Sequence, residues 1–154
     1  MPDVLPAPEP AAEPVGPGVP RTRRWQPGYV LDVAALIGPL RHGRGDPTCR
    51  IDEAGVVWRV CSTPTGPATT RIRRSGTEVV ADAWGDGADW VLDGLPALLG
   101  ADDDDAGFVG HHPVVAEARH RMPGLRLGAC GAVWDVLFAA ILEQKVTGTE
   151  AHRS

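Results

Sequence analysis

Residues 131–154 read GAVWDVLFAAILEQKVTGTEAHRS, and the architecture of the chain turns on this stretch. Val133, Trp134, Leu137, Phe138, Ile141, Leu142 and Val146 recur at spacings of three and four. That spacing puts them on one face of a helix. No glycine or proline closes the segment near Ser154 as a helix C-cap would. A helix so apolar needs a partner surface, and no sequence follows it here to supply one. The expectation is therefore a whole N-terminal domain followed by the first piece of a second, helical domain.

Working outward, a length of 154 residues with 43% apolar content suits one soluble domain and a fraction. No apolar run approaches the ~18 residues of a membrane span. The opening MPDVLPAPEPAAEPVGPGVP has neither a basic start nor an apolar run, so it is not a signal peptide. Its proline, alanine and glutamate content suits a disordered arm, with a partner-binding extended segment as the alternative. Cys49, Cys61 and Cys130 form no CxxC pair and are odd in number, which points to a reducing cytoplasm. They read as small core or half-buried residues, neither ligands nor nucleophiles.

The net charge of -5 hides a division. Residues 21–80 carry ten arginines against five acids, and residues 81–110 carry eight aspartates and no base. A basic first segment could face phosphates, with the acidic stretch lying away from them. Plain solvated surface is the alternative for both.

Thr22–Trp25 reads as a short strand before the turn Gln26-Pro27-Gly28. Tyr29–Arg41 has Val30, Val33, Ala34, Ile37 and Leu40 at helical spacing, ended or kinked by Pro39. Strands are expected at Cys49–Asp52, Val56–Ser62, Thr69–Arg74 and Thr77–Ala83, joined by short local connections that favour an antiparallel meander. In Thr70-Arg71-Ile72-Arg73 the two arginines share one face, the one expected to be wet, and Ile72 takes the other. Asp89–Leu99 looks helical, weakened by Gly94 and Pro96. Ala101–Gly107 reads as a solvated acidic loop without the ligand pattern of a calcium site. His111-His112-Pro113 leads into a helix over Val114–Arg121, and the spacing of these histidines to His120 and Cys130 fits no usual zinc pattern. The fold class is α+β, a small antiparallel sheet with flanking helices. Its expected divisions are a Pro/Ala-rich arm at 1–20, a sheet domain at 21–110 and the start of a helical domain at 111–154.

Two stretches carry a family resemblance. Residues 123–148, PGLRLGACGAVWDVLFAAILEQKVTG, resemble the opening of the helix-hairpin-helix domain of AlkA-type 3-methyladenine DNA glycosylases, where a PGLRL segment leads to a helix ending in a pattern like ILGQxVS. Trp25-Gln26-Pro27-Gly28-Tyr29 resembles the WQPPY-like start of that family's N-terminal domain, which is similar to one repeat of the TATA-binding protein. The resemblance covers about residues 22–154. It implies hydrolysis of the N-glycosidic bond of alkylated bases in double-stranded DNA, with the damaged nucleotide flipped into a pocket and an apolar wedge filling the gap. A carboxylate would stabilise the positive charge that develops on the sugar. The family's catalytic aspartate and glycine-bearing hairpin fall downstream of the matching helix, so the catalytic residue is expected beyond Ser154 and none is assigned here. Asp135 lies on the helix itself and is not that residue.

Lys145, after Gln144, matches the leucine wedge of the enterobacterial type. Its stem can enter a gap and its ammonium can pair with phosphate, or it is an ordinary exposed helix lysine. Glu143 replaces the usual glycine. Ile37 matches a pocket-lining aromatic, with core packing as the alternative. The resemblance further implies a full-length monomer in the bacterial cytoplasm, on the nucleoid when bound to DNA, with neither metal nor other cofactor and no membrane association. The 154 residues alone are expected to be inactive. The alternative is a non-catalytic module that binds another chain through the terminal helix. A DNA-alkylation-response regulator ranks below both, because no helix-turn-helix is visible.

Overall fold

A computed structural model describes residues 18–43 and 45–144. Five strands form one antiparallel sheet: β1 (Arg21–Trp25), β2 (Cys49–Ile51), β3 (Val57–Thr63), β4 (Gly66–Ser75) and β5 (Glu78–Trp84). Their spatial order is β1-β5-β4-β3-β2. The last four strands are a meander of hairpins, and β1 closes the far edge against β5, with Trp25 opposite Val79. The fold is thus α+β, as the local connections implied.

Alternation decides the faces. Val57, Ile72 and Ala81 lie side by side on neighbouring strands, all fully buried. One residue along, Trp58, Arg71, Asp82 and Thr22 form the corresponding row on the opposite face. The short helices α1 (Val33–Ile37), α2 (Ala88–Asp93) and α3 (Leu95–Leu98) cover the first row. Their Leu36, Ile37, Leu92 and Leu95, with Leu99 after α3, join the sheet's apolar residues in one core. Two further helices, α4 (Pro113–Arg121) and α5 (Val133–Glu143), follow.

The first helix is much shorter than its periodicity suggests. Asp32 caps it, its carboxylate accepting the Ala35 N–H at 3.0 Å, so Tyr29 and Val30 precede the helix and Val30 is 67% exposed. A capping aspartate fixes a start that apolar spacing does not mark. Pro39 sits in a single 3-10 turn, Gly38–Leu40, that ends the segment. The expected helix over 89–99 is two helices divided at Gly94; Pro96, lacking an N–H, occupies the first turn of the second, where none is needed.

Candidate functional site

The described part of the terminal helix leaves its large apolar side chains open. Val133, Trp134, Val136, Leu137, Phe138, Ile141 and Leu142 are all exposed, Trp134 to 79% and Phe138 to 64%. The helix stands beside the sheet rather than on it. A groove of about 470 Å³ separates Asp135, Val136, Phe138 and Ala139 from Leu40, Thr48, Arg59 and Val60. Its neighbour α4 buries no residue either.

The segment leading into α5 is, by contrast, tied down tightly. Arg126 lies over the Tyr29 ring, its guanidinium carbon 3.9 Å from the centroid. Its Nη2 donates to Asp105 at 3.2 Å, and its Nη1 donates to the Asp103 carbonyl. The Leu127 N–H donates to the Asp103 carboxylate at 2.8 Å, and the Ala129 N–H to the Ala97 carbonyl at 2.9 Å. Tyr29 completes the seam by donating its hydroxyl to the Leu99 carbonyl at 2.9 Å. Burial raises the Tyr29 pKa against the opposing charge of Arg126, so the phenol keeps its proton and remains a donor.

Two glycines let this strap run so close. A Cβ at position 128 would lie 2.1 Å from the Leu98 carbonyl oxygen. Gly131 adopts φ +69°, and a Cβ there would lie 2.9 Å from the Trp90 ring, so the turn into α5 is seated against α2.

Consequently the two stretches that carry the family resemblance touch. Tyr29 ends the Trp25–Tyr29 motif, and Arg126 is the arginine of the 123–127 motif. Trp25 supports Tyr29 edge-on, with ring centroids 6.2 Å apart.

The acidic loop corrects the expectation of plain solvation. Asp105 pairs with both Arg119 and Arg126, and Asp103 is an acceptor for the strap. The hydrogen bond from Arg119, with the charges of Arg119 and Arg126, holds the Asp105 carboxyl below its ordinary value despite some desolvation. Charge segregation is corrected as well. Arg21 pairs with Asp89, Arg23 with Asp93, and Arg71 and Arg73 with Asp82. The acidic stretch therefore neutralises the basic one in space instead of lying away from it. Opposite charges far apart in sequence become cross-strand and strand-to-helix neighbours.

The expected site residues are scattered. Ile37 has no exposed surface and belongs to the core. Gln144 is the exposed C-cap of α5, and Asp135 is exposed in that helix's first turn. Lys145, Val146 and arm residues 1–17 lie outside the described residues. What the sequence reading missed is the Tyr29–Arg126–Asp105 seam; its signal was a single arginine inside an apolar strap, preceded by four consecutive aspartates.

All three cysteines are free. Burial raises the Cys49 and Cys61 pKa values, so both thiols are protonated at neutral pH and are poor nucleophiles. Among the described residues no three histidine, cysteine or acidic side chains converge as metal ligands. Nor is any described helix long and apolar enough to cross a membrane. No protein-family model, curated protein or solved structure matches the chain.

Proposed function

We propose that the chain is the N-terminal part of a bacterial DNA glycosylase of AlkA type, acting in the cytoplasm on alkylated bases of double-stranded DNA. The observation that carries this reading is the uncovered apolar side of α5. The helix is firmly oriented at its start yet exposes seven large apolar side chains, as expected of the first helix of a helical domain. Burying each is worth roughly 1.5–3 kcal/mol before entropy costs. Contact between Tyr29 and Arg126 supports the same reading, because it joins the two resembling motifs into one seam. On this reading the sheet is the TATA-binding-protein-like domain, and α5 begins the helix-hairpin-helix domain. The hairpin and catalytic aspartate belong to sequence beyond Ser154.

Lys145 then takes the wedge position, next to Gln144 as a second DNA-contacting residue, and replaces an apolar plug by a phosphate-pairing ammonium. The whole enzyme would be a monomer needing neither metal nor redox cofactor. Base release from alkylated duplex DNA tests the proposal. The 154-residue chain is expected to give none, and a chain extended through the continuing reading frame is expected to turn over. Turnover by the 154 residues alone overturns it.

The same exposed face favours a second reading, a non-catalytic module whose α5 docks onto another chain. Light scattering separates the two. A monomer disfavours docking between copies, and a defined dimer or heterocomplex favours it.

A further inference from the structure

The sheet face turned away from α1, α2 and α3 bears a feature unrelated to the glycosylase reading. Trp58 of β3 and Trp84 of β5 flank β4 and stack across it, with ring centroids 5.9 Å apart and planes 13° from parallel. Arg71 lies 5.7 Å from the Trp58 centroid. Arg71 and Arg73 both reach toward Asp82, yet the Nε of each is buried without a hydrogen-bond partner among the described residues. Most telling, the Trp84 indole N–H donates to the main-chain carbonyl of Gly18 at 2.9 Å. Gly18 therefore lies on this face.

Residues 1–17 read MPDVLPAPEPAAEPVGP, with six prolines, three acids (Asp3, Glu9 and Glu13) and no lysine or arginine. Proline-rich segments favour the polyproline II conformation, whose carbonyls have no internal partners. They bind aromatic-lined surfaces at low entropic cost, prolines lying against the rings. Indole N–H groups in such surfaces are ready donors to backbone carbonyls. The Trp84–Gly18 bond has this form, formed at the boundary of the proline-rich segment itself.

We infer that the occupant of the Trp58–Trp84 face is the arm of this same chain, residues 1–17, bound in cis. Its prolines lie against the two indoles, and Glu9 and Glu13 face Arg71, Arg73 and the exposed Arg50 beside Trp58. The reach is sufficient: crossing from β5 to β3 spans about 10 Å, roughly three residues of polyproline II. Counting back from Gly18, that brings Val15 to Trp58, with Pro14 and Glu13 the next residues along. Single-stranded nucleic acid also offers anions and flat rings, and is the competing occupant. The arm is favoured because its tether at Gly18 gives it an effective concentration on the order of millimolar, and because Asp82 already lowers the positive charge of the face.

Placing p-benzoylphenylalanine at Ala12 in the full chain and irradiating at dilute concentration tests this directly. Expected are intramolecular cross-links to Trp58, Trp84 and neighbouring residues of β3, β4 and β5. Trp84→Ala should reduce their yield by up to about tenfold. Because that variant also removes a side chain from the sheet, the pair Glu9→Lys and Glu13→Lys serves alongside it. That pair leaves the folded core untouched and should also lower the yield, as should raised salt. Cross-links scattered over the helices, or formed between chains, overturn the inference. So does a yield indifferent to the glutamate reversals. Ultraviolet cross-linking of an oligothymidylate to Trp58 or Trp84 in the unmodified chain, with no cross-link from position 12, would assign the face to nucleic acid instead.

Discussion

The sheet and the terminal helices use apolar residues in opposite ways. From β1 to Leu99, Ile37, Ile72, Val57, Val79 and Leu95 are closed off from solvent and contact one another. From Phe108 to Leu142 nearly every large apolar side chain is exposed, and the segment is held by polar anchors at Arg126, Arg119 and Asp105. The first region draws its stability from its own packing; the second is positioned first and packed only if another surface arrives. Apolar content is thus a poor guide to burial unless the partner is also identified.

The sharpest way to break this contrast is a truncation in the core measured by urea denaturation. Ile37→Ala should cost about 2–5 kcal/mol, as for other fully buried aliphatic residues. A cost below about 1 kcal/mol would mean that Ile37 lines open space, as a pocket residue would. Next in size, Arg126→Ala removes the ring contact with Tyr29 and the bonds to Asp103 and Asp105. It should raise local opening of the strap by about 1–3 kcal/mol, read as faster hydrogen exchange at the Leu127 and Ala129 amides. Amides of β3 and β4 should keep their protection.

Acid should act on the same seam in a smaller way. Asp105 titrates below the ordinary value of 3.8, so its ionised form is the one the folded state favours. Its contribution is complete above about pH 4 and fades as the pH falls through the lowered value. Exchange at Leu127 should quicken over that window, and Asp105→Asn should remove the dependence. The smallest effect belongs to the terminal helix: Leu137→Ser should change monomer stability by no more than about 0.5 kcal/mol. A larger loss would show that the helix is covered in solution.

Much of the sheet was legible because strand alternation and hairpin turns are local. Ile72 between Arg71 and Arg73 was enough to assign the two faces, and the short connection Glu53-Ala54-Gly55 turns β2 into β3 with Gly55 at φ +74°. The first helix was misjudged because Val30 keeps helical spacing although Asp32 sets the start. The seam was illegible for another reason. Asp105 meets residues 14 and 21 positions away, and a run of aspartates looks the same whether it faces water or an arginine. At Ile37 helical spacing marked an apolar position, and its full enclosure by the core is what the structure adds. For α5, periodicity was sufficient to predict a helix with an apolar face, and the exposure of that face is what the structure adds.

The strand order has a consequence for biosynthesis. Among the described residues β1 is the first strand to leave the ribosome, yet its one neighbour in the sheet is β5, the last of the five. While residues 26–77 are being translated, the RTRRW strand has no ladder to join. The four-stranded meander can zip up hairpin by hairpin as it emerges, and the N-terminal edge is added only at the end. Until then the nascent chain carries an unpaired, arginine-bearing edge, and those charges oppose its association with edges of other chains.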